Sequence, residues 1–124
     1  HAGGTILYDR VEVQNLTNVN RSVFGGFTEI GDDSKIDTLV HIGHNAKIGK
    51  RVLIAANAMI AGCTIGDDVW IGPSATTVPG AIIGEGAYVS VGAVVTKNVE
   101  PHQQVSGNFA IEHKKFLEFI RSIR

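Results

Sequence analysis

The sequence predicts an all-β fold, a parallel β-helix of hexapeptide repeats closed by a C-terminal α-helix, and three observations predict it. Large aliphatic residues recur every six positions, glycine follows many of them, and the last stretch changes to a helical spacing.

The period comes first. Counting from Phe24, the series runs through Ile30, Ile36, Ile42, Ile48, Ile54 and Ile60, arrives one residue early at Ile65, and resumes at Ile71, Thr77, Ile83, Val89 and Val95. Four positions after each aliphatic the residue is small or β-branched, as at Val40, Ala46, Val52, Ala58, Val69, Ala75 and Ala81. A helix needs apolar residues every three or four positions and a lone strand every second, so a six with glycines at each turn suits neither. A very short strand, a turn and another short strand do suit it, and three such units close a triangle of about eighteen residues that stacks coil on coil.

The elements follow in chain order. "GGTILYDRVEVQNLTNVNRSV" carries weaker repeats that add one coil below the four expected from Phe24 to about Val99. Inward aliphatics fill the prism at roughly 1.5–3 kcal/mol each, and every coil depends on its neighbours to complete that core. Glycine after the aliphatic is expected to turn the corner through positive φ, which it reaches without a Cβ clash. Cys63 falls in the small inward slot and reads as a buried hydrophobe. After Pro101 the period stops; Phe116, Phe119, Ile120 and Ile123 are spaced as one face of an amphipathic helix. That gives a β-helix domain over 1–105 and a terminal helical segment over 106–124, whose apolar face covers either its own prism or a neighbouring subunit.

Composition narrows the function classes. Eleven basic against twelve acidic residues leave a formal charge of -1, with no basic field for nucleic acid or an anionic membrane. The apolar runs are too short to cross about 30 Å of hydrocarbon, so no integral membrane protein is expected. A single cysteine excludes an internal disulfide framework and fits a reducing cytoplasm. The chain starts at His1 without an initiator methionine and is expected to be a piece of something longer.

Chemistry concentrates in "VHIGHNAKIG", residues 40–49. Ile42 and Ile48 belong to the core and Gly43 and Gly49 to the corners, which leaves His44 unexplained by architecture. At one coil per eighteen residues, Gly26 would stack below His44 and Gly62 above it, making a notch of bare backbone around an imidazole. Such a notch can admit an acyl group or thioester, with the Gly62 N–H facing a developing oxyanion. Imidazole is the side chain best suited to take and return a proton near neutral pH. Its second nitrogen needs a holder: the Asp37 carboxylate is the first choice, with the Asn45 amide or an acid from a neighbouring subunit as alternatives. His41 either lines the same cleft or stands at a corner in solvent or at a subunit contact. Asp32-Asp33 and Asp67-Asp68 follow Ile-Gly at corners, where aspartate favours turns.

The [Ile/Val]-Gly-x-x-x-x repeat resembles the hexapeptide-repeat acyltransferases, over nearly the whole chain. The resemblance implies a left-handed parallel β-helix, against the usual right-handed crossover preference, and assembly as a homotrimer. Within that superfamily "KIDTLVHIGHNAKIG", with Ile42-Gly43-His44-Asn45 at its core, and the tail "VSGNFAIEHKKFLEFI" are similar to the UDP-3-O-acylglucosamine N-acyltransferases of lipid A synthesis. By that resemblance His44 is the general base and Gly62 N–H the oxyanion donor; His41, Asn45 and Gly26, from their places around His44, are expected to line the substrate site. The acyl donor would be a phosphopantetheine thioester, on acyl carrier protein or CoA, and the acceptor the amine of a nucleotide-linked sugar, with no bound cofactor. Two features depart from the group: its N-terminal nucleotide-contacting domain has no counterpart in these residues, and Gly80 stands near where it has another histidine. An acetyl-CoA-dependent sugar acetyltransferase, and a structural β-helix that only trimerises, are the competing readings. The β-helical zinc hydrolases of the carbonic anhydrase type use histidines five apart. Here His41 and His44 are three apart, His1 is terminal, and His102 and His113 lie past the repeats, so no metal site is expected.

Overall fold

A computed structural model describes residues 2–124, and His1 lies outside the described residues. Among them are seventeen short strands and one helix, His113–Ile123. The strands, mostly two residues long, form three parallel faces of a prism. The first face stacks Gly4–Leu7, Phe27–Ile30, Lys47–Ile48, Thr64–Ile65 and Ile82–Ile83. The second stacks Glu12–Val13, Lys35–Ile36, Leu53–Ile54, Trp70–Ile71, Tyr88–Val89 and Gln104–Ser106. The third stacks Asn18–Val19, His41–Ile42, Met59–Ile60, Thr76–Thr77 and Val94–Val95. The fold is the left-handed parallel β-helix with a single C-terminal helix.

From Lys35–Ile36 to Val94–Val95, each two-residue strand sends its second residue inward. Ile30, Ile36, Ile42, Ile54, Ile60, Ile65, Ile71 and Ile83 are all but fully buried, with Val40, Ala46, Val52, Ala58, Cys63, Val69 and Ala75 in the small slots. Like pairs with like between coils: Ile36 lies on Ile54, and Ile48 on Ile65. The small slot holds hydroxyls where the backbone needs them. Ser34 donates to the Gly49 carbonyl (2.8 Å) and accepts from Val52 N–H (3.1 Å), and no buried side-chain nitrogen or oxygen among the described residues lacks a partner.

Four expectations of the fold need correction. Phe24 is not the first inward residue: it is 90% exposed. The first two coils are out of step with the period, because Asn18 pairs with His41 and Val13 with Ile36 at twenty-three residues rather than eighteen. The five extra residues leave the prism as a bend around Val23–Gly26, and the period begins at Ile30.

Glycine after the aliphatic is also there for a different reason. From Gly31 onward those glycines do not have positive φ; a Cβ on Gly72 would come within 2.7 Å of the Val91 nitrogen in the next coil, so close stacking excludes a side chain. Positive φ falls three residues after most of the aliphatics, at Asp33, Leu39, Asn45, Arg51, Asn57, Asp68 and Ser74. Corner residues make two bidentate ion pairs with stacked neighbours, Asp33 with Arg10 and Asp68 with Arg51 (2.7 and 3.1 Å in each pair).

The terminal helix begins at His113, not at 106. Residues Gln104–Ser106 continue the second face, and Ile111–Glu112 turns back antiparallel on it. The Glu112 carboxylate accepts from Lys114 N–H and caps the helix. Phe116 packs on Gly107, where a Cβ would come within 2.7 Å of its ring, but Phe119 and Ile123 are 56% and 62% exposed. The helix packs chiefly on the last two strands, and the far part of its apolar face, Phe119 and Ile123, is left uncovered by the described residues.

Candidate active site

His41 and His44 flank one corner, where the third face passes into the first. Ile42 is inward, so His41 faces out, between Asn18 below and Met59 above, with its Nδ1 3.3 Å from Asn18 Nδ2. Gly43 is buried and the chain then turns: His44 is exposed at the turn, Asn45 has φ of 61°, and Ala46 returns inward. Asparagine tolerates this left-handed conformation better than most residues. The turn is pinned from within by Thr28, whose Oγ1 accepts from Asn45 N–H (3.0 Å).

What holds His44 is main chain. Its Nδ1 lies 2.8 Å from the Arg21 carbonyl oxygen of the coil below. A carbonyl only accepts, so Nδ1 carries the proton and donates it. The neutral ring then has its lone pair on Nε2, the nitrogen directed away from that bond. The site therefore presents a basic nitrogen in a fixed tautomer on an exposed corner.

The expected holder, Asp37, is elsewhere. It ends the second-face strand Lys35–Ile36, one corner away, and its carboxylate accepts from Thr38 N–H (2.7 Å). Asp37 lines a cleft of about 350 Å³ with Glu12, Lys35, Leu53 and Trp70. Asn45 is also not the holder, since its side chain meets Ser22. Gly26 does not stack directly under His44 either. The Val23–Gly26 bend displaces the register, Arg21 takes that place, and a Cβ on Gly26 would meet nothing within 4 Å.

Gly62 does sit over His44, though not across an open notch. A Cβ there would come within 2.3 Å of the His44 carbonyl oxygen, so only glycine lets the two coils approach. Its carbonyl accepts from Gly80 N–H (2.9 Å), while its own N–H has no hydrogen-bond acceptor among the described residues. Cys63, beside it, is buried with Sγ 3.5 Å from Thr77 Oγ1, and burial pushes its thiol pKa up. It is no nucleophile for this corner.

One neighbouring cluster was not anticipated. On the first face, three residues after His44, Lys47 donates to Glu29 (2.8 Å), and the Tyr8 hydroxyl donates to the other Glu29 oxygen (2.7 Å). The Lys47 ammonium, then the Tyr8 hydroxyl, hold the Glu29 carboxyl below its ordinary range. Arg21 could not have been found from side-chain patterns, because its contribution is a peptide oxygen. Among the described residues no three His, Cys, Asp or Glu side chains converge.

Comparison with known proteins bears on this corner. The pattern of the bacterial transferase hexapeptide (six repeats) family matches residues 27–62 and 62–97. The UDP-3-O-acylglucosamine N-acyltransferase of Campylobacter lari is 38% identical over 120 residues, covering 96% of this chain and 37% of that protein. UDP-3-O-acylglucosamine N-acyltransferase 2 of Legionella pneumophila is 38% identical over 125 residues, covering 100% and 36%. This chain thus spans little more than a third of the length of these relatives. Among solved structures, an Arabidopsis UDP-N-acetylglucosamine acyltransferase superposes over 94% of this chain and 42% of its own, with a TM-score of 0.86 at 24% identity, a likeness of fold.

Proposed function

Because the chain belongs to the bacterial transferase hexapeptide family, we propose that it carries the catalytic β-helix of an N-acyltransferase, which moves an acyl group from a thioester to the amine of a nucleotide-linked amino sugar. The observation that carries this reading is the His44–Arg21 hydrogen bond, which leaves Nε2 free as a base at an open corner.

In the reaction the neutral amine attacks the thioester carbonyl while His44 Nε2 takes one of its protons. The negative charge that develops on the carbonyl oxygen meets a backbone donor, the Gly62 N–H, which has no competing acceptor within the described chain. The C–S bond then breaks, the amide forms, and the imidazolium returns its proton to the departing thiolate. No covalent enzyme intermediate is required, which agrees with a buried Cys63. The donor thioester is that of a phosphopantetheine arm, on acyl carrier protein or CoA. The curated relatives named above act, by name, on UDP-3-O-acylglucosamine, and this directs the choice of acceptor. The open corner at His44 gains its second wall from another copy of the chain in a homotrimer.

The test is thioester consumption by the full chain with and without amino-sugar acceptors. General-base help is typically worth about 10²–10⁴ in rate, so His44→Ala should lower turnover by that order while the fold persists. Unchanged consumption in His44→Ala would refute the assignment. A donor series from acetyl to long-chain thioesters reads out the acyl length.

A further inference from the structure

The formal charge of -1 is an average over two unlike parts of the chain. Residues 113–124 hold four basic side chains, Lys114, Lys115, Arg121 and Arg124, against the single acid Glu118, a formal charge of +3. The remaining seven basic and eleven acidic residues leave the rest of the chain at -4. The same segment is amphipathic: His113, Phe116, Leu117 and Ile120 are half-buried on the side that packs on the last strands, while Phe119 and Ile123 are exposed. Residues three or four apart are neighbours on a helix surface, so Phe119 and Ile123 continue one strip from Phe116, and Lys115 borders it beside Phe119. Phe116 in turn walls a cavity of about 500 Å³ with Trp70 and Tyr88 of the second face and Val91 at the turn that follows. Tyr88 and Val91 are exposed, as is Phe109, next to the cavity-lining Asn108. The apolar strip of the helix thus runs into an aromatic patch of the prism. On the other side of the helix start, Lys115 shares a cleft of about 200 Å³ with Lys97 and Ile111, which adds a fifth basic group to this end.

Exposed apolar surface fringed by fixed positive charge fits a partner that supplies both hydrocarbon and negative charge. We propose that this end of the molecule docks on an anionic lipid surface. The terminal helix lies flat in the headgroup layer, Phe119 and Ile123 toward the acyl chains and the lysine and arginine heads among the lipid phosphates, their stems covering apolar surface on the way. Trp70 and Tyr88, stacked with ring centroids 4.3 Å apart, stand where the prism meets that layer, the level these two residue types favour at membranes. The contact is peripheral: among the described residues no helix is long and apolar enough to cross a membrane. Because the rest of the chain is acidic, the same surface repels it, and the charge asymmetry orients the prism with its C-terminal end toward the lipid. A second copy fits the strip less well, since helices brought together set one +3 charge against another. Nucleic acid would meet the charge and leave Phe119 and Ile123 in water.

Co-sedimentation of the full chain with vesicles tests this without any turnover, so its result stands apart from the acyl-transfer reading. At low salt the chain should bind phosphatidylcholine vesicles containing about one-third phosphatidylglycerol at least about tenfold more tightly than vesicles of phosphatidylcholine alone. Raising the salt to about 1 M should release it, because screening removes the attraction of the headgroups. Lys114→Gln combined with Arg121→Gln should weaken binding to the anionic vesicles by about an order of magnitude. Phe119→Ser combined with Ile123→Ser should weaken it by about as much, with thermal unfolding like that of wild type, because both side chains are exposed in the chain. No binding by wild type, equal binding to the two vesicle types, or undiminished binding by the double serine variant would each overturn the proposal. If wild type ignores vesicles and the double serine variant loses self-association in lipid-free sedimentation velocity, the strip covers a second copy instead, which also overturns it.

Discussion

At Gly62 a single hydrogen atom in place of a methyl group decides how close two coils come. The would-be Cβ of Gly62 lies 2.3 Å from the His44 carbonyl oxygen, so Gly62→Ala must push that corner apart or twist it. The expected outcome is a fall in kcat of at least about tenfold together with a lower melting temperature, because the same contact serves packing and the proposed oxyanion donor. Cys63 gives an opposite expectation. Buried, with a thiol pKa raised by desolvation, it should react with iodoacetamide only as fast as the chain opens, so that labelling in dilute denaturant tracks global unfolding. Fast labelling of the native chain at neutral pH would contradict its placement.

At the scale of single elements, the corners carry exposed charge pairs whose direction is fixed by their neighbours. Hydrogen bonds from Arg10, Arg51 and Lys47 lower the carboxyl pKa of Asp33, Asp68 and Glu29 respectively. A depressed folded pKa means stability that is present above the unfolded value, about 4 for these side chains, and lost as pH falls through the folded one. Thermal melts should therefore weaken below that range, by an amount that shrinks in about 1 M salt, where the screening length is near 3 Å. No acid weakening, or one indifferent to salt, would remove these pairs from the account. The sequence placed these aspartates at corners correctly but not in pairs, because their partners lie seventeen or twenty-three residues away, not eighteen. The terminal helix was legible from Phe116, Phe119, Ile120 and Ile123, whereas its start was not: Ile111–Glu112 has no periodic signal and is set by antiparallel pairing to Val105–Ser106.

The whole molecule is a one-dimensional stack, and its legibility follows from that. Ile42, Ile54 and Ile71 recur because each coil repeats the same inward position, so the stacked coils were readable from the period alone, whereas their left-handed winding came from the family resemblance. The candidate corner was readable only in part. His44 and Gly62 emerged because the eighteen-residue count holds between their coils, and Gly26 was misplaced because a five-residue bend breaks the count just below. A local insertion of small and aromatic residues carries no signal of which side of it resets the register. The stack also predicts unequal costs. Ile54→Ala, with neighbours above and below, should destabilise by about 2–5 kcal/mol in denaturant melts, and Val19→Ala in the partly exposed first coil by clearly less. Equal costs would mean the coils do not stabilise one another by nearest contact.

The central claim is that the fixed tautomer of His44 makes it the base. The most direct measurement is single-turnover acyl transfer from a thioester to an amino sugar, comparing wild type with His44→Ala and His44→Gln. The account predicts a loss of about two to four orders of magnitude in both variants, with unaltered thermal unfolding. Transfer at the wild-type rate in either variant would contradict it.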